Sequence, residues 1–176
     1  MSNWNKIFKP IVVLSVICII ITGALALTNN ITAPIIEQAT IAAQTAARQE
    51  LLPDATGFTK VDGIAVANVF DVYKADNGVG VVITSSAKGY GGTMTVMVGF
   101  NAAGTIRKIK VTEQAETKGI GSKVAGDPGF WTRYEGLNAE PLVLNEDVDA
   151  LSGATISSKA LLAAVNSAIE AYNAMD

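Results

Sequence analysis

A chain of 176 residues is long enough for one domain with a real core plus an additional segment. It contains no His and a single Cys, Cys18, which excludes imidazole-built zinc and haem sites, Ser-His-Asp and Cys-His centres, and any disulfide or iron–sulfur cluster within one chain. The formal net charge is −3, and both basic residues of the first ten, Lys6 and Lys9, precede an apolar run, so the remainder is more acidic still and unsuited to nucleic acid. Redox or group-transfer chemistry on such a chain must come from a cofactor.

Residues 1–10 are short and basic and read as a cytoplasmic amino terminus. Residues 11–27 form an apolar run interrupted only by Ser15, Thr22 and Gly23, just long enough at about 1.5 Å per residue to cross a bilayer. Lys6 and Lys9 on its amino flank, with no acid nearby, put that end in the cytoplasm and the following domain on the extracytoplasmic side of the cytoplasmic membrane. A cleaved signal peptide is the competing reading, because Ala24-Leu25-Ala26 fits a small-residue cleavage site. A lipoprotein is disfavoured by Ile17, where a small residue should precede Cys18.

Residues 28–56 read as a stalk. Thr28 to Pro34 is a polar exit, with Pro34 suited to the first turn of a new helix, and Ile35, Ala39, Ala42, Ala43, Ala46 and Leu51 make a loose stripe that Pro53 terminates. A surface helix of the domain is an equal alternative.

Residues 57–176 make up the domain proper. Residues 69–75 and 79–84 are β-rich and joined by Asp76-Asn77-Gly78, a hairpin signal. Residues 93–100 alternate, with Met94, Val96, Val98 and Phe100 on one face; residues 105–111 set Ile109 and Val111 opposite Lys108 and Lys110. The sheet is thus expected to be antiparallel, with one face buried and one wetter. Gly89-Tyr90-Gly91-Gly92 lacks the Lys and Ser/Thr of a P-loop and leads into a strand, so it reads as a turn or bulge.

After the sheet, Glu116-Thr117-Lys118-Gly119-Ile120-Gly121 offers bare backbone and one apolar side chain, suited to a flat ring but equally to a plain connection. Phe130, Trp131 and Tyr134 have helical spacing and read as core, although Trp131 could line a site. Pro141 to Leu144 reads as strand-like. The last helix carries Leu161, Leu162, Val165, Ala168, Ile169 and Tyr172 on one face.

Between those two elements lies Asp149-Ala150-Leu151-Ser152-Gly153-Ala154-Thr155-Ile156-Ser157-Ser158. Ser157 or Ser158 can cap the helix, whose amino terminus suits a phosphate, and Gly153 and Ala154 leave room for a large group near Thr155. An ordinary capped helix start is the plainer reading.

Asp followed two residues later by Ser-Gly-Ala-Thr resembles the flavinylation signature of the FMN-binding domain family. Taken with Gly-Tyr-Gly-Gly, Glu116 to Gly121, Phe130-Trp131 and the amino-terminal apolar helix, in that family's order, the chain resembles G subunits of the Rnf ion-translocating oxidoreductase. It is also similar to C subunits of the sodium-translocating NADH:quinone oxidoreductase. Gln114, Lys118 and Ile120 depart from the residues usual there.

The resemblance implies an α+β domain, an antiparallel sheet with packed helices, preceded by one transmembrane helix. It implies FMN joined by a phosphoester to Thr155 through a separate flavin transferase. Ser152, Gly153, Ala154, Ser157 and Ser158 would surround the phosphate, and Glu116, Thr117, Gly119, Ile120 and Gly121 the ring. Asp149 would serve transferase recognition or brace the turn. Lys123 would face a reduced flavin or simply solvent. The implied role is electron relay among the other membrane subunits of the complex, with no metal and no nucleic acid. A standalone membrane-anchored flavoprotein and a non-redox partner-binding module are the alternatives.

Overall fold

The computed structural model describes residues 8–119 and 121–175. The chain divides into an amino-terminal unit ending at Gln44 and a larger unit beginning at Thr45.

Helix α1 spans Lys9–Leu51, 43 residues. It contains a stretch long and apolar enough to cross a membrane, none of it buried. The break expected at residues 28–34 does not occur. Thr28 Oγ1 donates to the Ala24 carbonyl at 2.9 Å and Thr32 Oγ1 to the Thr28 carbonyl at 3.0 Å, so these hydroxyls bond back into the helix rather than cap a new one. Pro34 lies inside α1, where its missing N–H forfeits one helical hydrogen bond without ending the helix. The expected stripe is also corrected. Of its members Leu51 is buried, together with Ala47 and Arg48 outside the stripe, whereas Ile35, Ala39, Ala42, Ala43 and Ala46 are exposed.

In the larger unit, five strands form one antiparallel meander in the order β1 (Phe58–Lys60), β2 (Val69–Ala75), β3 (Gly80–Lys88), β4 (Thr93–Asn101) and β5 (Ile106–Gln114). The expected hairpin joins β2 to β3, with Lys74 opposite Val81 and the Gly78 N–H donating to the Ala75 carbonyl. Strand β1 has no counterpart in the sequence reading, because three residues are too few for an alternation to register.

The alternation in β4 delivers Met94, Val96, Val98 and Phe100 to one face, all fully buried, beside Ile83, Ile106 and Ile109. Against them packs α4 (Thr155–Asn173) through Leu161, Val165, Ala168 and Ile169. Burying each such aliphatic side chain is worth roughly 1.5–3 kcal/mol, which is what holds α4 to the sheet. Ser85 adds a directional link, its Oγ donating to the Ala164 carbonyl at 2.7 Å.

The opposite face was expected to be wetter, yet part of it is covered. Leu51 and Leu52 pack there with Val82 and Met97, and Glu50 bonds Lys108 and Lys110 of β5. Alternation alone does not tell a strand buried on both faces from one buried on a single face when a helix end arrives from outside the sheet.

Between β5 and α4 lie α2 (Gly121–Ala125), α3 (Pro128–Trp131) and a 3₁₀ turn, Thr132–Tyr134. Phe130 and Tyr134 enter the core, and burial pushes the Tyr134 phenol well above its ordinary pKa. Residues 141–144 are not a strand. Asn166 of α4 takes the place of a strand partner, its Oδ1 accepting the Leu142 N–H and its Nδ2 donating to the Leu142 carbonyl, both at 2.9 Å. What remains of strand pairing is the single bridge between Leu144 and Val148.

Candidate functional site: the start of α4

The turn into α4 depends on Gly153, whose φ of +80° is costly for any residue with a Cβ. The Ala154 N–H closes the turn on the Leu151 carbonyl at 2.9 Å, and the helix begins at Thr155. Ala154 occupies the capping position and provides no side-chain bond, so the N–H groups of the first turn are left for solvent or an anion. Thr155 is exposed on that turn, as are Ser152 and Gly153.

Neither serine caps the helix. Both lie inside its first turn and are buried. Ser158 Oγ donates to the Ala154 carbonyl at 3.0 Å and accepts the Leu151 N–H at 3.1 Å, knitting the turn from within. Ser157 Oγ donates to Glu116 Oε2 at 2.8 Å.

Glu116 is 8% exposed. Its Oε2 also accepts the Gly91 N–H at 3.4 Å, while Oε1 has no hydrogen-bond partner among the described residues. The backbone around it is bare by necessity. A Cβ on Gly89 would collide with Oε1, and one on Gly121 would collide with Oε2 and lie 2.6 Å from Ser157 Oγ. One carboxylate therefore joins three stretches: the turn between β3 and β4, the loop after β5, and the start of α4.

The remaining expected residues fall at different distances from this centre. Thr117 packs against the Gly91 backbone. Gly121 opens α2 beside Ser157, so the expected loop winds into a short helix there. Gly119 is exposed with nothing packed on its α-carbon, and its N–H donates to Ser122 Oγ at 2.9 Å. Ile120 lies outside the described residues. Lys123 is exposed, and Trp131 is held aside by its Nε1 donating to the Val124 carbonyl at 2.9 Å. The Asp149 carbonyl accepts from Arg133 at 3.1 Å and the Ala150 N–H is held by Asn145 Oδ1 at 3.0 Å. The brace on this side thus uses backbone, with the Asp149 side chain exposed.

A cleft of about 330 Å³ opens at Thr155, lined by Tyr90, Gly153, Ala154, Ile156 and Ser157. Tyr90 was missed as a site residue, although an aromatic residue placed among three glycines has no neighbouring side chains to bury it. FMN fits what is present. There is an exposed hydroxyl on an uncapped helix turn for the phosphate end and a largely apolar cleft beside it for the ring end.

Comparison with known proteins bears on the same residues. The FMN-binding domain family matches residues 89–170, a span that begins at the glycine turn and contains the whole site. The RnfG N-terminal region matches residues 1–51, to the end of α1. The G subunit of the Na(+)-translocating ferredoxin:NAD(+) oxidoreductase complex of Acetobacterium woodii is 34% identical, over 97% of this chain and 93% of its own length. The G subunit of an ion-translocating oxidoreductase complex of Methanosarcina acetivorans is 31% identical over 100% of both chains. The crystal structure of Shewanella oneidensis NqrC aligns at a TM-score of 0.47 with 25% identity, over 66% of each chain.

Proposed function

The chain belongs to the family of G subunits of ion-translocating oxidoreductase complexes, and we propose that it carries its FMN covalently on Thr155. It is an FMN-carrying electron-transfer subunit of an ion-translocating ferredoxin:NAD oxidoreductase and works beside the other subunits of that complex. Membership of a complex displaces the standalone and non-redox readings.

The observation that carries the attachment reading is the exposed Thr155 hydroxyl on the uncapped first turn of α4, opening onto the cleft. Attachment forms a phosphoester between Thr155 Oγ1 and the flavin phosphate. A phosphoanhydride bond of the flavin dinucleotide donor breaks, a nucleoside monophosphate leaves, and the threonine proton departs. No His stands in the chain to take that proton, which agrees with a separate flavin transferase supplying the base. The exposed Asp149 carboxylate, free of any bracing duty, is available for that enzyme to read.

When bound, FMN takes up and releases electrons singly or in pairs. The protein's part is to hold it. Gly153 and Ala154 keep the approach to Thr155 clear, the first-turn N–H groups would hold the remaining phosphate charge, and Glu116 fixes Ser157 and with it that turn. Among the described residues no acid or base lies in the apolar stretch of α1 between residues 11 and 27, so the helix anchors rather than conducts an ion. Lys6 and Lys9 orient it with the domain outside the cytoplasm, where a tether keeps a cofactor that could not be replaced.

Intact mass of the full chain made with and without a flavin transferase tests this. The expected result is a gain of one FMN less water on the wild type, a fluorescent band after denaturation, and neither on Thr155→Ala. An unmodified wild type would remove the attachment reading.

A further inference from the structure

We propose that Tyr90 and Ile156 are the apolar walls that receive the isoalloxazine ring of the flavin, an assignment that rests on attachment at Thr155.

From Thr45 onward, the large hydrophobic side chains left exposed among the described residues are Phe70, Tyr90, Val143 and Ile156. Two of these four border one cleft, and that cleft contains Thr155. Tyr90 is 64% exposed and Ile156 is 54% exposed, an arrangement that wastes apolar area unless something covers it.

Neither side chain is free to fold away. Tyr90 sits in a turn closed by the Gly89 N–H on the Gly92 carbonyl at 2.8 Å, flanked by glycines that offer it nothing to pack on. Ile156 lies in the first turn of α4, where its neighbours Ser157 and Ser158 turn inward and are buried. Their spacing is set by Glu116, which bonds Gly91, next to Tyr90, and Ser157, next to Ile156. The carboxylate thus fixes one wall relative to the other.

The occupant follows from continuity with Thr155. A ring system tethered there starts in this cleft, whose volume of about 330 Å³ lies within the range of small-molecule sites, roughly 300–1,000 Å³. A flat fused aromatic stacks on a tyrosine ring and on an aliphatic side chain alike, which suits this pair of walls. Glu116 then acts on the ring indirectly, by positioning the walls.

The test uses the full chain, made with a flavin transferase and kept in detergent, as wild type, Tyr90→Phe, Tyr90→Leu and Ile156→Ser. A phenol in contact quenches an excited flavin by lending it an electron that then returns, and a phenyl ring does not. All four proteins are expected to gain one FMN by mass. Native fluorescence per flavin should rise several-fold in both Tyr90 variants and become equal in all four after denaturation. Flavin anisotropy should stay high in Tyr90→Phe and fall in Ile156→Ser. Equal native fluorescence and anisotropy across fully loaded proteins would overturn the assignment. So would unchanged fluorescence in a Tyr90→Leu chain that no longer associates with the other subunits, which would give the walls to a protein partner. A wild type without added mass would overturn the attachment reading first, and this one with it.

Discussion

The hydroxyl of Ser157 stands 2.8 Å from a carboxylate oxygen of Glu116, a bond that reaches across 41 residues of chain. Removing a carboxylate from water costs several kcal/mol, and none of the described ion pairs offsets this for Glu116. Hydrogen bonds from Ser157 Oγ and the Gly91 N–H compensate part of this, with Oε1 left without a partner among the described residues.

Replacing Glu116 with alanine would leave the buried Ser157 hydroxyl, and the Gly91 N–H, without that acceptor. The expected loss is about 1–3 kcal/mol, seen in denaturant unfolding of the full chain in detergent. Glu116→Gln keeps an acceptor of the same shape and should lose less than half as much. Equal losses in the two variants would show that the carboxylate itself, and not side-chain volume or a neutral acceptor in its place, is what matters.

Gly121→Ala should destabilise by about 1–3 kcal/mol, because the new methyl would coincide with Glu116 Oε2 and crowd Ser157. The damage should appear locally as faster amide exchange over residues 155–158. A variant as stable as the wild type would mean that the carboxylate can move aside.

Asn166→Ala removes both bonds to Leu142 and leaves residues 141–148 with the local turn bonds between Val143 and Val148 and one isolated bridge. A loss of about 1–2 kcal/mol is expected, together with lower exchange protection confined to that segment. Protection unchanged there would assign its order to Leu142 and Val148 packing and to the segment's own turn bonds.

Glu50 accepts hydrogen bonds from Lys110 and Lys108, which hold its carboxyl below the ordinary range. A lowered folded pKa adds stability that is fully present above the unfolded value, about 4.3, and is lost as pH falls through the folded one. Because Glu50 is 45% exposed, the contribution is under about 1 kcal/mol and weakens with salt. Wild type and Glu50→Gln should therefore differ near neutral pH in low salt and converge below about pH 4. A gap that persists in acid would rule out the ion pairs as its source.

Much of the sheet was legible because β4 and β5 alternate and the Asp76-Asn77-Gly78 turn announces its hairpin. The candidate site was marked in the sequence by a motif, Asp149 to Thr155, whose residues are adjacent in the chain. What the sequence hid depends on contacts between distant residues. The serines at 157 and 158 have good capping chemistry, but Glu116 and Leu151 engage them from inside the helix. Residues 141–144 have strand-like composition, but Asn166 takes both backbone groups of Leu142 and Asp147 takes the Val143 N–H. Pro34 is a helix breaker by local rules, and a helix already propagating through Thr28 and Thr32 passes over it.

The close approach of Gly89 and Gly121 to one carboxylate makes the three positions a ratchet for sequence drift. While Glu116 is present, neither glycine can gain a side chain. A lineage that once tolerates a smaller residue at 116 frees both glycines to become alanine, and each such change then closes the way back, since a returning glutamate would find its space filled.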